Sequence, residues 1–251
     1  MSQADGTKPQ SSEMHPGLGF RFRECDTRPA PEVLEGFSRF ETPEISDLMN
    51  RLYTMNAGIV NQTDPSLRIV APACTVKVFP GDNLMVHKSL DLAQPGDVIV
   101  VDASSSRMTA VLGDLVSMKA KHRGIAGFVV DGLVRDIPGI LRLGDFPVFA
   151  RGVTPIGPLH RGPGEINYPV SVGGIVVNAG DLIVADLNGV VVIPRVDAPE
   201  LLDRLVARAP AESAYVAAVE RGEFSNDWVD ATLRAADVAT SPTSNRSGDP
   251  A

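Results

Sequence analysis

The stretch Gly113–Asp136, GDLVSMKAKHRGIAGFVVDGLVRD, contains the features that decide the fold. Asp114 follows a glycine and precedes a helix-like segment, so we expect it to act as the N-cap of a helix whose first amides point outward. The apolar run Ile125–Val130 has glycines at its edges and is typical of a strand buried on both faces. Arg135-Asp136 comes just past the apolar strand, and Pro138 suits the first turn of another helix.

Charged residues at these two points indicate a ligand site. In open α/β sheets, ligands bind outside the carboxyl ends of the strands. Two carboxylates, one guanidinium and a helix N-terminus are therefore expected on one rim. A helix N-terminus binds anions, and carboxylates with water suit a hard cation such as Mg²⁺ or Mn²⁺. The residues alone leave an alternative open, namely a helix cap and an exposed ion pair, because such pairs are common and weak.

Composition and charge limit the class of protein. The 251 residues, 43% of them hydrophobic, can form one large domain with tails. The net charge of −8 argues against a general nucleic-acid binder, because such proteins cluster Lys and Arg. No apolar run approaches the roughly 20 residues of a membrane helix, and the polar N-terminus lacks the apolar segment of a secretory signal. We therefore expect a cytoplasmic protein in which Cys25 and Cys74 are reduced thiols.

Hydrophobic periodicity and turn residues divide the rest of the chain into elements. A helix is predicted from Thr42 as N-cap, with Pro43 at its first position and an apolar face that reaches Tyr53. Asn188-Gly189 predicts a two-residue hairpin loop. Further strands are predicted at 69–79, 98–101, 147–150, 170–172, 175–177, 182–185 and 190–193, and further helices at 84–92, 199–209 and 211–221. This order predicts an α/β sandwich with a mixed central sheet and C-terminal helices.

The domain limits follow from the same pattern. We expect residues 1–30 to form a flexible N-terminal segment and residues 31–222 to form the domain. Residues 223–251 are expected to form an extension that is largely disordered after residue 239, because its composition cannot bury enough apolar surface.

Other catalytic motifs are missing from the sequence. It contains no G-x-S-x-G elbow, no P-loop and no dinucleotide-binding G-x-G-x-x-G after a strand. The four histidines (His15, His87, His122 and His160) form no H-x-x-x-H pair, so none is expected to bind a metal.

Gly113-Asp114, twenty intervening residues and Arg135-Asp136 resemble the D-x20-R-D signature of the RraA-like family. The resemblance covers about Glu32 to Arg221 and includes Pro95–Asp102 and Asp186–Val190 in the expected order. It implies a layered α/β/β/α-type sandwich of the swivelling-domain type with a mixed central sheet. The family includes class II 4-hydroxy-4-methyl-2-oxoglutarate / 4-carboxy-4-hydroxy-2-oxoadipate aldolases, members that decarboxylate oxaloacetate, and the regulator that binds and inhibits ribonuclease E.

The resemblance also implies roles for individual residues. Asp136 is expected to ligate a divalent metal, usually Mg²⁺, and Asp114 to hold water bound to that metal. Arg135 would contact the 2-keto oxygen of a pyruvyl unit, and the amides of Gly113, Asp114, Leu115 and Val116 would receive its carboxylate. The implied reaction is the cleavage of a 4-hydroxy-2-oxo acid to pyruvate through a metal-stabilised enolate, with no Schiff base. Oxaloacetate decarboxylation would give the same enolate.

Two further expectations concern the rest of the site. The resemblance implies a homotrimer, sometimes paired into a hexamer, in which an acid from a neighbouring C-terminal helix reaches the metal. Glu212 is the candidate and Glu220 the second, although Glu212 could instead favour its own helix N-terminus. Ser106, Arg107 and the pair His160-Arg161 could contact a distal carboxylate, or could simply lie in solvated loops. The expected ligand is a small 2-oxo acid, with no nucleic-acid or membrane partner.

Overall fold

The computed structural model describes residues 15–238. The helices are α1 (Pro31–Phe37), α2 (Thr42–Leu48), α3 (Leu84–Ser89), α4 (Asp114–His122), α5 (Ile137–Leu141), α6 (Ala198–Glu220) and α7 (Asp227–Ala235). The strands are β1 (Phe20–Phe22), β2 (Val60–Asn61), β3 (Ile69–Val78), β4 (Val98–Asp102), β5 (Ala110–Leu112), β6 (Gly127–Val134), β7 (Val148–Val153), β8 (Gly164–Ile166), β9 (Val170–Val172), β10 (Ile175–Val177), β11 (Leu182–Asp186) and β12 (Gly189–Ile193). Two compact units result, one ending at Leu205 and one beginning at Val206.

A mixed sheet forms the centre of the first unit. Its strands run in the order β1-β8-β3-β4-β6-β7-β2, with β5 beside β6 and with β11 and β12 branching from β3. Four adjacent strands, β3, β4, β6 and β7, run parallel to one another. Strands β8 and β11 pair with β3 in antiparallel fashion. Strands β9 and β10 form a separate hairpin. The predicted α/β class with a mixed central sheet is therefore confirmed.

The sheet buries apolar side chains on both faces. Phe128 and Val130 of β6 pack with α3, α4 and α5 on one face, and Val129 packs with strands β9 to β12 on the other. All eight residues of β6 are buried, as predicted for its first half, because neighbouring layers cover both sides of the strand. In the described range 15–238, no helix has both the length and the apolar character that crossing a membrane demands.

The helix that was predicted with Thr42 as its N-cap has a different N-cap and a different C-terminus in the structure. Glu41 is the N-cap and forms a capping box with Glu44, while the Thr42 hydroxyl donates to the carboxylate of Asp186 at 2.7 Å. The helix ends at Leu48 because Asn50 and the residue after it adopt the left-handed conformation, which breaks the helical hydrogen bonding. The apolar face that was predicted to continue to Tyr53 is therefore not helical.

Three other predictions need correction. The two predicted C-terminal helices form one helix, α6, which contains Pro210. Proline removes only one hydrogen bond there, and the surrounding alanines strongly favour helix. The hairpin loop consists of Leu187 and Asn188, since Asp186 pairs with Gly189. The segment 1–30 is not flexible throughout, because residues 20–22 pair with β8; its first 14 residues, like 239–251, lie outside the described range.

Candidate functional site

Strand register brings the two halves of the motif together. Strands β5 and β6 are parallel, with Leu112 opposite Val134, and the Arg135 amide donates to the Leu112 carbonyl at 3.0 Å. The residues that follow each strand, beginning with Gly113 and Arg135, therefore emerge side by side at one edge of the sheet. The twenty-residue spacing is the length of chain that α4 and β6 need to return to this edge.

Helix α4 presents its N-terminus at this edge. Gly113 is the N-cap and Asp114 the first helical residue, so the prediction that Asp114 caps the helix is wrong by one position. No side chain among residues 15–238 caps the helix, and its first backbone bond runs from the Ser117 amide to the Gly113 carbonyl. The amides that precede Ser117 lack intrahelical acceptors and remain available to an anion.

Three glycines provide the space that the charged side chains occupy. A Cβ at Gly113 would overlap the carboxylate of Asp136, and one at Gly139 would lie 2.8 Å from Cγ of Asp114. A Cβ at Gly157 would overlap the guanidinium of Arg135. None of these glycines has a positive φ, so each is needed for the close approach of a side chain rather than for its backbone conformation.

Arg135 and Asp136 form an ion pair that leaves a hydrogen-bond donor of Arg135 unsatisfied. Arg135 Nε lies 3.2 Å from Asp136 Oδ2, yet the angle is too poor for a hydrogen bond, and Nε is a buried donor without a partner among the described residues. The side chains keep 40% and 43% of their exposure. Asp136 also has φ +59°, a strained conformation for a residue with a side chain. An unsatisfied donor and backbone strain at one point are typical of functional sites.

A cavity of about 250 Å³ contains the predicted residues. Its lining includes Gly113, Asp114, Leu115, Val116, Arg135 and Asp136, the full set predicted for the catalytic and substrate-binding site. Sequence reasoning missed its other polar residues, Asn83, His87 and Lys119, and left His160 as one of two alternatives. Ser106, Arg107 and Arg161 do not line this cavity.

Asn83 holds His160 at the cavity wall. Asn83 is 2% exposed and its amide nitrogen donates to the Val111 carbonyl at 2.8 Å, so its Oδ1 must accept from His160 Nδ1, 2.6 Å away. His160 therefore carries a proton on Nδ1. The ring of His87 meets that of His160 edge to face, with 5.6 Å between centroids. Burial, with Lys119 and His160 nearby, lowers the pKa of His87.

The part of the chain that the structure describes supplies two acidic residues to the cavity, Asp114 and Asp136. In residues 15–238, no cluster of three or more His, Cys, Asp or Glu could hold a metal ion. Glu212 lies within α6 and pairs with Arg208 at 3.1 Å, so it does not stand at a helix N-terminus as one of the two alternatives supposed. The expectation that Glu212 reaches the metal site of a neighbouring chain stays a prediction.

Comparison with known proteins gives the family of this chain. Residues 42–192 match the RraA-like family, described as Aldolase/RraA. A Halalkalibacterium halodurans protein named "Putative 4-hydroxy-4-methyl-2-oxoglutarate aldolase" is 42% identical over 190 residues, which cover 75% of this chain and 89% of the relative.

Two solved structures share the fold. An uncharacterized protein from Pseudomonas syringae has a TM-score of 0.70 at 30% identity, covering 79% of this chain and 96% of the other. Streptomyces coelicolor RraAS2, described as an unusual member of the RNase ES inhibitor RraA protein family, has a TM-score of 0.69 at 31% identity, covering 75% and 97%. The match over more than half of the sequence and the shared fold show that the chain belongs to the RraA-like family.

Proposed function

We propose that this protein is a divalent-metal-dependent lyase, a class II aldolase that cleaves a 4-hydroxy-2-oxo acid to pyruvate and a 2-oxo acid or aldehyde. The observation that carries the proposal is the single cavity that contains an uncapped helix N-terminus, the Arg135 guanidinium and the carboxylates of Asp114 and Asp136. Oxaloacetate decarboxylation is the expected side activity, because it leaves the same enolate.

The donor set fits a hard cation. Asp136 and Asp114 offer carboxylate oxygens only, and both residues line the same cavity. Mg²⁺ commonly takes one or two protein carboxylates and keeps several waters in its shell of about six oxygens, whereas a structural zinc site needs about four protein ligands. Asp136 would hold Mg²⁺, or Mn²⁺, and Asp114 would act through water. When bound, the cation would supply charge stabilisation at the C2 oxygen.

The chain's own groups have defined tasks in the cleavage. The free amides at the start of α4 bind the C1 carboxylate, which fixes the pyruvyl unit against Leu115 and Val116. The C4 hydroxyl gives its proton to solvent water and C4 becomes the carbonyl carbon of the leaving product. The C3–C4 bond breaks, and its electron pair moves through C3 so that negative charge develops on the C2 oxygen. The guanidinium of Arg135, whose side chain lines the cavity and is 40% exposed, donates to that oxygen. Protonation at C3 then gives pyruvate.

A pyruvate-release assay over 4-hydroxy-2-oxo acids and oxaloacetate, with and without Mg²⁺, tests the proposal. Chelation should abolish pyruvate formation and Mg²⁺ or Mn²⁺ should restore it, whereas full activity in excess chelator would contradict the metal role. Arg135→Ala should raise the barrier by about 3–4 kcal/mol if the residue acts as an oxyanion donor. A loss below tenfold would make Arg135 a structural ion pair.

A second function is favoured by the similarity to RraAS2, whose description names an RNase ES inhibitor family. Under that alternative the protein would bind and inhibit ribonuclease E. Purified protein that is inert on every pyruvyl substrate and slows RNA cleavage by ribonuclease E would support it, and pyruvate release at Mg²⁺-dependent rates would contradict it.

Assembly belongs to the same proposal. We expect a homotrimer, or a hexamer of two trimers, in which Glu212 of one subunit completes the site of another. Mixing inactive Glu212→Ala with inactive Arg135→Ala subunits should restore part of the activity, because some interfaces would combine two intact contributions. No recovery in oligomers shown to be mixed would place every essential residue within one chain.

A further inference from the structure

The buried carboxylate of Asp82 binds a loop at the edge of the cavity. Asp82 is 4% exposed, and its Oδ2 accepts a hydrogen bond from the Arg161 amide at 2.6 Å. We propose that Asp82 is a positioning residue, which holds the loop of residues 154–162 so that Gly157 confines the guanidinium of Arg135. This inference rests on the proposed aldolase function and deepens it, because it names a residue outside the cavity on which the reaction depends.

The 154–162 loop depends on contacts with other segments for its position. It lies between β7 and β8 and contains neither a helix nor one of the named strands. Near its start, the Ile156 carbonyl accepts the Ala110 amide at 2.8 Å, and towards its end the Leu159 amide donates to the Gly81 carbonyl at 2.8 Å. A loop with few backbone bonds opens locally at low cost, so each anchor contributes to its position.

Both oxygens of the Asp82 carboxylate are used to join the loop to helix α3. While Oδ2 accepts the Arg161 amide, Oδ1 accepts the Leu84 amide at the start of α3 at 2.8 Å. Gly162 permits this close approach, because a Cβ at that position would lie 2.6 Å from Cγ of Asp82 and 2.8 Å from its Cβ. A side chain at position 162 would therefore push the carboxylate away from the loop.

The middle of the loop lies against Arg135. A Cβ at Gly157 would overlap the guanidinium of Arg135, and the next residue, Pro158, lines the cavity. The Arg135 side chain is 40% exposed and makes one imperfect contact with Asp136, so the backbone at Gly157 limits where its guanidinium can lie. Among residues 15–238, the lining of the cavity does not include Asp82. Asp82 therefore acts on the site through the loop and not by contact with a ligand.

Asp181 offers a matched control. It is 2% exposed, its Oδ2 accepts the Asn178 amide at 2.8 Å, and its Oδ1 accepts the Arg195 amide at 3.1 Å. Like Asp82 it is a buried carboxylate that binds two backbone amides, but it lies just before β11 and outside the described lining of the cavity. We would compare Asp82→Ala with Asp181→Ala by pyruvate release, and measure denaturant unfolding of both.

Asp82→Ala should lower kcat/KM for pyruvate release by about 10- to 100-fold, because a misplacement of about 1 Å can cost on the order of 100-fold in rate. Asp181→Ala should leave kcat/KM unchanged while it lowers stability by a similar amount. Gly162→Ala displaces the same carboxylate without removing it, so it should lose activity as Asp82→Ala does and provides the test if Asp82→Ala fails to fold. Equal losses in the Asp82 and Asp181 variants, or full activity in Gly162→Ala, would overturn the proposal.

A double-mutant cycle separates positioning from a general loss of structure. In an Arg135→Ala background, Asp82→Ala should lower the remaining activity by less than about threefold, because the guanidinium that the loop confines is absent. A loss by the same factor in both backgrounds would contradict the positioning role, since a smaller folded fraction reduces every activity equally.

A chemical measurement tests the positioning role without any lyase activity. Phenylglyoxal modifies accessible guanidinium groups, and mass spectrometry of the peptide that contains Arg135 would give the rate of its modification. The rate should rise by about threefold or more in Asp82→Ala and stay unchanged in Asp181→Ala, because local opening of the loop removes Gly157 from the guanidinium. A raised rate in a protein that releases no pyruvate would support the positioning role and contradict the lyase. Pyruvate release by the wild type, with an unchanged modification rate in Asp82→Ala, would retain the lyase and refute the role of Asp82.

Discussion

A single methyl group at Gly113 should inactivate the site without removing any charged residue. The new Cβ would overlap Oδ2 of Asp136, 3.0 Å from Arg135 Cγ and 3.2 Å from Asp136 Cγ. Real Cβ atoms essentially never approach heavy atoms closer than 3.0 Å, so the carboxylate must retreat by several tenths of an ångström. A misplacement of about 1 Å can cost on the order of 100-fold in rate, so we expect Gly113→Ala to lose about 10- to 100-fold in kcat/KM.

Stability should change much less than activity. Gly113 has φ −145°, which alanine adopts freely, and alanine restricts the unfolded chain, a gain of about 0.4–1 kcal/mol. Two losses offset this gain. Alanine is a poorer N-cap residue than glycine, and the ion pair between Arg135 and Asp136 is displaced, although this pair is half exposed and therefore weak. We expect the free energy of unfolding to change by no more than about 1 kcal/mol.

The assay is Mg²⁺-dependent pyruvate release, with denaturant unfolding measured in parallel. Gly58→Ala is the control, since its Cβ would touch Arg151 and Asn56 at 3.0 Å, outside the cavity. In an Asp136→Ala background, Gly113→Ala should add little, because the methyl group would have no carboxylate to displace. Activity within threefold of wild type in Gly113→Ala, or full additivity with Asp136→Ala, would refute the reasoning.

Three further predictions concern other parts of the chain. Gly139→Ala should lose about 100-fold in pyruvate release or more, because its Cβ would lie 2.5 Å from the Cβ of Asp114, which cannot retreat by side-chain rotation alone; an active variant would contradict it. Burial raises the pKa of Asp186, but hydrogen bonds from Thr42 and Asn188 lower it overall, so its stabilisation is present above the unfolded pKa of about 3.9 and lost as pH falls through the folded value. Asp186→Asn should therefore lower the free energy of unfolding by about 1–3 kcal/mol at pH 7, with a difference from wild type that shrinks below about pH 4. Pro210→Ala should restore one helical hydrogen bond and slow amide exchange in α6, and unchanged exchange would show that the proline costs the helix nothing.

The sequence alone predicts where the charged motif lies, but it does not predict which other residues line the cavity. Arg135 and Asp136 follow a long strand that is apolar except for Asp131, so their position at its carboxyl end could be predicted. Strand β5, with three residues, is too short to show a periodicity, although it fixes the position of Gly113. Asn83, His87 and Lys119 come from other segments or lie on a helix face whose direction depends on packing, so no local pattern could assign them to the cavity.

The three glycines at the site carry information that the charged motif does not. Gly113, Gly139 and Gly157 each lie against one of the three charged side chains, and none has the positive φ by which a glycine requirement is usually recognised. Arg135 and Asp136 make one imperfect contact with each other, so the spaces left by these glycines set the positions of their side chains more than hydrogen bonds do. It follows that a D-x20-R-D motif is insufficient to predict an active site: an RraA-like chain that keeps the three charges and places alanine at the positions equivalent to Gly113 or Gly139 should hold them out of position. Among such chains, the glycines should therefore separate lyases from proteins that use the same fold only to bind a partner.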